Sequence, residues 1–235
     1  SYSEIDSGLS DITVNENEKY SIHLPDYISP LDLVNPFGEE YIAKRSLYMI
    51  NEVVNFSKKI EDRTGNFCPI VGSFSVIDTT KENFYEDLSL LCQSINSNGT
   101  FLLPQWLPPI AWYFGGSVPL RVFNSVDDID LIEKHALPIC LDSSHYIMCM
   151  NAGLVDPEVD YQRLLNHAKH IHISGADGLD GEGTSFSSMD DISKKLLMMS
   201  INTDTMKVIE TWQGHLDNFS GFHKSIIDLY NMDII

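Results

Sequence analysis

Short runs of apolar residues recur along the chain, and each run ends at a polar or Gly/Pro-rich stretch. The runs begin near positions 20, 68, 100, 137, 170 and 207, so successive runs start 32 to 48 residues apart. Between two of these runs, Phe84, Leu88, Leu91 and Ile95 recur at helical spacing. Apolar runs that alternate with amphipathic stretches at this interval are typical of the βα units of a parallel sheet.

This repeat predicts an α/β fold, and specifically a (β/α)8 TIM barrel that forms one domain over residues 1–235. With the short candidate strand Tyr2–Asp6 the chain supplies seven strands. A barrel requires eight, so we expect the first strand to be lacking or distorted, and either the chain is the rear part of a longer polypeptide or the barrel is incomplete. An open doubly wound sheet is the alternative, although no Gly-rich turn follows the first strand.

Capping and turn residues divide the remaining sequence into helices and loops. Helices are predicted over residues 39–63 with a stop at Gly65, after a capping box at Thr79 and Glu82, after Ser125, after Asp156, around Leu196 and around Leu229. Loops are predicted for the Pro-rich stretch 26–38, the aromatic stretch 107–119 and the Gly- and acid-rich stretch 175–183. In a barrel, the loops that follow strands carry the functional site.

Composition narrows the possible partners. The 34 acidic residues outnumber the 15 basic ones, and the net charge of −19 disfavours nucleic acid and anionic membranes. No apolar run is long enough to span a bilayer, and the first residues do not form a signal peptide, so we expect a cytoplasmic protein.

The four cysteines lack CxxC spacing, which predicts free buried thiols and argues against a soft-ligand metal site.

Possible metal ligands stand at the ends of four successive strands. Gln105, Asp142, His172 and Glu210 each come where an apolar run gives way to a loop. Each also shares a face with the residue two positions earlier, so all four can point to the same side of the sheet. Oxygen ligands with one imidazole suit a divalent ion, namely Mn²⁺, Mg²⁺, Co²⁺ or Zn²⁺.

Further candidates surround these four residues. His145 follows Asp142 by three positions and is either a substrate-binding residue or a surface histidine. His23 ends its own strand, and Glu182 lies in the DGEG loop as either an acid–base group or a solvated carboxylate. Trp106 and Trp212 are candidates for an apolar wall against a sugar ring, although aromatic residues more often belong to a core.

The motifs HIHISGADGLDGEG, LDSSH and VIETWQGH together resemble the xylose isomerase-like TIM-barrel superfamily, which includes sugar phosphate isomerases, epimerases and endonuclease IV-like enzymes. The stretches LPQWLPPIAWYFGG and WQGHLDNFSGF look closest to a bacterial branch that accompanies nonulosonic acid biosynthesis. The resemblance extends from about Tyr20 to Tyr230, and the order and spacing of the motifs carry most of it.

The resemblance implies one divalent ion held by a Glu, an Asp, a His and a second Glu. Asp142, His172 and Glu210 match three of these positions, whereas Gln105 replaces the first Glu. It also implies that His145 binds substrate. His215, in the VIETWQGH motif, is a further candidate for a substrate-binding residue. The expected activity is a metal-dependent isomerisation or epimerisation of a sugar or sugar phosphate through an enediolate, with Glu210 as the base.

A second hypothesis follows from two departures from the family's pattern, which are Gln105 in place of a Glu and the lacking first strand. Gln105 cannot take a proton, which leaves one strand-end base and makes a two-base epimerisation doubtful unless Glu182 is the second group. The alternative is a catalytically impaired barrel that binds a sugar or a partner enzyme, and an oligomer is compatible with either. Endonuclease activity is disfavoured because a trinuclear zinc site needs more ligands than the sequence places.

Overall fold

The computed structural model describes residues 14–97 and 99–234, so the candidate strand Tyr2–Asp6 lies outside the described residues. The strands are β1 (Ile22–His23), β2 (Tyr27–Ser29), β3 (Asp32–Leu33), β4 (Ile70–Gly72), β5 (Leu102–Pro104), β6 (Ile110–Tyr113), β7 (Gly116–Pro119), β8 (Ile139–Asp142), β9 (Ala168–Ile173), β10 (Gly175–Asp177), β11 (Gly181–Thr184) and β12 (Met206–Ile209). The helices are α1 (Glu40–Thr64), α2 (Lys81–Asn96), α3 (Val126–Lys134), α4 (Ser143–Asn151), α5 (Val159–His167), α6 (Asp191–Ile201) and α7 (Leu216–Asn231). The six predicted strand positions are confirmed by β1, β4, β5, β8, β9 and β12.

These six strands run parallel and follow one another in chain order. β1 pairs with β4 and β4 with β5, while β8 pairs with β9 and β9 with β12. A single parallel bridge between Gln105 and Cys140 joins the two halves. Within the described residues, no pairing of β12 with β1 closes the ring.

The sheet is strongly curved. Four strand-to-strand steps separate β1 from β9, which corresponds to about 19 Å in a flat sheet. The His23 ring on β1 nevertheless lies 6.0 Å from the His172 ring on β9. The carboxyl ends of the strands therefore converge on one region, as the predicted barrel requires.

Local sequence signals account for most helix ends. Gly65 adopts a left-handed conformation, φ +63°, and its N–H donates to the Glu61 carbonyl, so the predicted stop of α1 is confirmed. Ser125 and Asp128 form a capping box at the start of α3. The cap of α2 was misplaced by one residue, because the hydroxyl of Thr80 rather than that of Thr79 accepts a bond from the backbone N–H of Asn83.

Three stretches predicted to be loops contain antiparallel hairpins. β2 pairs with β3, β6 with β7, and β10 with β11. In the second hairpin, Phe114 and Gly115 turn the chain with positive φ angles of 55° and 77°. The prediction of loops was wrong here, because strands of two to four residues are too short to produce a recognisable alternation.

Helix α4 is a further correction. The LDSSH segment was predicted to pass from a strand into a loop, whereas the helix begins directly after Asp142. The carboxylate of Asp142 accepts bonds from the backbone N–H groups of Ser144 and His145, which is an N-cap. A strand end and a helix cap thus share one residue, and this fixes the direction of its side chain.

Most buried apolar side chains belong to one continuous cluster between the helices and the sheet, and a smaller cluster inside the sheet contains Val71, Leu103 and Cys140. All four cysteines are free and buried, as predicted. No helix in the described part of the chain is both long and apolar enough to cross a bilayer.

Candidate metal and substrate site

The four strand-end residues meet at one place. Nδ1 of His172 lies 2.5 Å from Oε2 of Glu210 and 3.6 Å from Oδ2 of Asp142. The amide nitrogen of Gln105 lies 3.0 Å from Oδ2 of Asp142 and 3.2 Å from Nδ1 of His172. One donor atom from each of Asp142, His172 and Glu210 lies within 4.8 Å of the others, so these three residues form a compact set of possible ligands.

Burial and charge set the protonation of this group. Burial alone would raise the pKa of Asp142, but the neighbouring His145 and His172 hold it well below its usual range. Burial alone would lower the pKa of His172, but Cys140 and the carboxylates of Asp142 and Glu210 hold it well above its usual range. In the absence of an ion, His172 therefore keeps a proton where a cation would bind.

These residues fit a divalent ion. Two carboxylates and an imidazole are donors that Mn²⁺, Co²⁺ and Zn²⁺ accept, and they leave coordination positions open. Glu210 is half exposed at its side chain, whereas Asp142 and His172 are buried, so the group opens on one side only. An ion here would replace the proton that His172 carries.

Gln105 faces the three ligands with its nitrogen. Its carbonyl oxygen Oε1 is 3.0 Å from Nε2 of His23 and accepts a bond from the Ser73 hydroxyl at 3.1 Å. The other nitrogen of His23 lies 2.7 Å from the Leu24 carbonyl. Rotating the Gln105 amide by a half-turn would aim its oxygen at the three ligands. The same rotation would turn the amide N–H towards Nε2 of a neutral His23, whose lone pair can accept that hydrogen bond. Gln105 can therefore join the set through this rotation.

A second ion pair lies beside the ligands. Nε2 of His145 is 3.1 Å from Oε2 of Glu182, and its Nδ1 is 2.8 Å from the carbonyl of Trp106. Burial alone would lower the pKa of His145, but Asp142 and Glu182 raise it to about 9. His145 is thus a cationic donor at neutral pH, and the β10–β11 hairpin brings Glu182 over the strand ends as the sequence suggested.

A cavity of about 740 Å³ stands above the strand ends. Its wall includes four carboxylates and four large aromatic rings. The residues that line it are His23, Asp26, Tyr27, Ser73, Gln105, Leu107, Pro108, Ile110, Ala111, Trp112, Tyr113, Ser117, His145, Met148, Asp180, Gly181, Glu182, Glu210 and Trp212. No lysine or arginine is among them.

Some predicted residues do not reach this cavity. Trp106 is fully buried and packs against Tyr146, so it supports His145 through its carbonyl group and offers no face to a ligand. His215 is exposed next to α7 and is not part of the lining. His23, His145 and Trp212 do line it.

Asp26 was missed by the sequence analysis, which placed it in a loop. Burial raises the pKa of its carboxyl group, an effect that His23 and Ser73 partly offset. Its Oδ1 atom is buried without a hydrogen-bond partner among the described residues. The available signal was its position directly after the strand end His23-Leu24-Pro25, where functional residues of a barrel occur.

His170 lies one layer below the ligands. It is fully buried on β9, and its ring meets the His172 ring edge-on at 5.1 Å between centroids. Burial lowers the pKa of His170 to about 3, so this imidazole is neutral. The sequence placed both histidines on one face, and the structure confirms that arrangement.

Comparisons with known proteins support the fold. No family model and no curated protein matches the sequence. Among solved structures, the probable 3-DHS dehydratase AsbF involved in petrobactin synthesis from Bacillus anthracis is similar with a TM-score of 0.60 and 13% identity, over 90% of this chain and 75% of that chain. The TTHB071 protein from Thermus thermophilus, soaked with ZnCl2, has a TM-score of 0.58 and 15% identity over 97% and 83% of the two chains.

A third similar structure, SacUVDE, has a TM-score of 0.55 and 14% identity over 92% of this chain and 67% of that chain. At these identities the likeness concerns the fold and leaves the chemistry open. The bacterial branch suggested by the sequence stays a prediction. The chain shares the mixed α/β fold of these solved structures, and the resemblance to the xylose isomerase-like superfamily stays a prediction from the sequence.

Proposed function

We propose that the protein is a divalent-metal-dependent enzyme that isomerises or epimerises a small sugar by moving a proton next to a carbonyl group. The observation that carries this proposal is the meeting of Asp142, His172 and Glu210 below one cavity, with donor atoms within 4.8 Å of one another. The carboxylates of Asp142 and Glu210 repel each other across His172, and a divalent ion between them would offset that repulsion.

Asp142, His172 and Glu210 would hold the ion, and Gln105 would join them after the rotation of its amide. A bound divalent ion supplies polarisation of the substrate carbonyl and the adjacent hydroxyl, which is worth several kcal/mol of barrier. The choice among Mn²⁺, Mg²⁺, Co²⁺ and Zn²⁺ belongs to the proposal, although the imidazole favours the transition metals and zinc.

Glu210 is the proposed base. It is the ligand whose side chain reaches the cavity, and it is half exposed while Asp142 and His172 are buried. A carboxylate placed there can take the proton from the carbon beside the carbonyl and leave an enediolate. General-base action of this kind contributes typically about 10²–10⁴-fold in rate.

The cationic His145 is the proposed donor to a substrate oxygen. Glu182 holds its Nε2 atom at 3.1 Å, and the backbone carbonyl of Trp106 holds Nδ1. Both N–H groups of His145 are engaged in these contacts, so Glu182 must release Nε2 before His145 can donate to a substrate oxygen in the cavity that it lines. Together with Glu210, this arrangement also suits a dehydration, in which the base removes a proton and His145 protonates a departing hydroxyl.

The lining of the cavity favours an unphosphorylated substrate. Asp26, Asp180, Glu182 and Glu210 face it, whereas its only basic side chains are those of His23 and His145. A phosphate group would meet repulsion and find no lysine or arginine. The rings of Tyr27, Trp112, Tyr113 and Trp212 can cover the apolar face of a neutral or amino sugar.

Deuterium exchange tests the proposed step. Metal-loaded protein is incubated in D2O with free sugars, amino sugars and the matching sugar phosphates, and exchange at the carbon beside the carbonyl is followed by NMR. We expect the wild type to exchange deuterium into an unphosphorylated sugar. The rate of this exchange should be at least about a hundredfold lower in Glu210→Gln. Asp180→Asn is the matched control, since it removes a carboxylate at the rim.

Exchange that persists in Glu210→Gln would refute the role of Glu210. Product analysis separates an isomer or epimer from a dehydrated product. If the protein binds sugar without exchange in the presence of each metal, the binding-module hypothesis replaces the enzyme.

A further inference from the structure

A second group of possible metal ligands lies one layer deeper in the sheet. One donor atom from each of Cys140, His170 and His172 lies within 4.8 Å of the others. Cys140 on β8 and His170 on β9 are direct partners in the parallel register, so the backbone holds this pair side by side. Cys140 and His170 are fully buried, and His172 is 5% exposed.

The hydrogen-bonding state of His170 is unusual for a core residue. Neither of its ring nitrogens has a hydrogen-bond partner among the described residues, and both are buried. A buried N–H or lone pair without a partner is costly, so interiors rarely keep one without a reason. His170 therefore offers a nitrogen to something that the protein chain itself does not supply.

The surroundings of Cys140 suit a soft ion. Cys140 packs with Val71 and Leu103 in a small apolar cluster, and the other members of its ligand group are two imidazoles. Thiolate and imidazole together select zinc or monovalent copper over Mg²⁺ or Mn²⁺. The site lacks the oxygen donors of the group above it, so the two layers differ in ligand chemistry.

We propose that Cys140, His170 and His172 form a second, buried metal site that takes Zn²⁺. His172 faces Glu210 and Gln105 with Nδ1, and we assign its other nitrogen to the lower ion. The ring of His172 then stands between the two sites. Zinc bonds of about 2.3 Å to sulfur and about 2.0 Å to nitrogen bring ligand atoms to about 3.5 Å from one another. Since the ligand atoms now lie within 4.8 Å of one another, a pair needs to close by about 1.3 Å at most.

Binding here requires the loss of two protons when the upper site is also filled. Zinc displaces the proton of the Cys140 thiol and the proton on the second ring nitrogen of His172, both leave as H⁺ to solvent, and His172 then bridges the two ions as an imidazolate without any redox change. Because the bridge forms only in the folded chain, zinc should stabilise the protein in addition to any effect of the upper site. The sequence analysis argued against a soft-ligand site because it considered cysteines alone.

Cobalt substitution tests the proposal. Metal-free protein is titrated with Co²⁺, both as the folded chain and during refolding from denaturant, and its absorption is recorded. A thiolate ligand gives an intense near-ultraviolet charge-transfer band, which oxygen and nitrogen ligands do not give. We expect this band in the wild type and two bound ions per chain.

The band should disappear in Cys140→Ala and Cys140→Ser and persist in Cys92→Ala, which removes another buried free thiol. It should also persist in the Asp142→Asn, Glu210→Gln double variant, with one ion per chain. A wild type that lacks the band under both loading conditions overturns the lower site, as does a band that survives both Cys140 substitutions. One bound ion without the band would leave the proposed enzyme intact and refute only this site.

Discussion

The amide nitrogen of Gln105 donates a hydrogen bond to the carboxylate of Asp142 across 3.0 Å. This bond ties β5 to β8 at the point where a single bridge joins the two halves of the sheet. It also places a neutral side chain where the resemblance implies a carboxylate. We therefore expect the charge at this position to affect both the stability of the metal-free protein and its affinity for an ion.

Gln105→Glu should have opposite effects with and without metal. Without metal, it places a carboxylate against Asp142, so we expect a loss of about 1–3 kcal/mol in the free energy of unfolding. With metal, the added charge should tighten binding at least about tenfold, or about 1.4 kcal/mol. Urea unfolding and calorimetric titration measure the two effects.

The exposed substitution Gln162→Glu on α5 is the matched control and should change neither quantity appreciably. An unchanged metal affinity in Gln105→Glu would remove residue 105 from the site.

Glu182→Gln should lower the pKa of His145 from about 9, because it removes one of the three carboxylates that raise it. NMR titration of the His145 ring measures the shift. Asp180→Asn, on the same hairpin turn, should leave the value nearly unchanged. An unaltered His145 pKa in Glu182→Gln would show that the 3.1 Å contact does not persist in solution.

The ion pair between His145 and Glu182 should also make the stability of the protein depend on pH. The folded-state pKa of His145 lies above its unfolded value of 6.5, so its contribution is complete below pH 6.5 and is lost as the pH rises through about 9. We expect the free energy of unfolding of the metal-free protein to fall across this window, and to fall less in Glu182→Gln. Equal slopes in the two proteins would contradict the assignment.

Gly183→Ala tests how the β10–β11 hairpin is seated on β12. A Cβ atom at Gly183 would lie 2.4 Å from the backbone nitrogen of Trp212, whose N–H donates to the Gly183 carbonyl. Gly178 has a similar φ of +63° but has no atom within 4 Å of an added Cβ. Both substitutions place an alanine at a positive φ angle, which costs conformational energy. Only Gly183→Ala also produces a steric clash.

We therefore expect Gly183→Ala to lower the free energy of unfolding by about 1–3 kcal/mol more than Gly178→Ala. It should also weaken the Glu182 contact to His145, which the His145 titration would detect. Equal losses of stability in the two variants would mean that the hairpin is not packed against Trp212.

Trp212→Ala should raise KM about fivefold, since it removes an exposed ring from the cavity wall that is worth about 1 kcal/mol. The turnover number kcat should change little, because the indole ring takes no part in the proposed proton transfer. Tyr230→Ala on α7 removes an exposed ring outside the cavity and should leave both constants unchanged. A fall in kcat with an unchanged KM would give Trp212 a different role.

The sequence predicted the parts of the fold that depend on burial. The runs around Val71, Leu103 and Leu141 are apolar on both faces, which is why the strand positions were predicted correctly. The strand-end rule then identified Gln105 and Glu210, since parallel strands bring their carboxyl ends to one edge.

The remaining parts depend on contacts between distant residues. Asp142 is both a strand end and a helix cap, and periodicity has no signal for a helix that begins inside a predicted strand end. Asp26 becomes a cavity residue only because β1 curls towards β9, and His170 becomes a possible ligand only because it pairs with Cys140. The orientation of the Gln105 amide depends on His23, which lies 82 positions earlier in the chain.

Anomalous scattering from crystals grown with Mn²⁺ or Zn²⁺ tests the central claim most directly. The account predicts a peak within about 2.0–2.2 Å of a carboxylate oxygen of Asp142, a ring nitrogen of His172 and a carboxylate oxygen of Glu210. It is contradicted if, at saturating metal, that position holds no anomalous peak while the three side chains remain as close as they are in the metal-free chain.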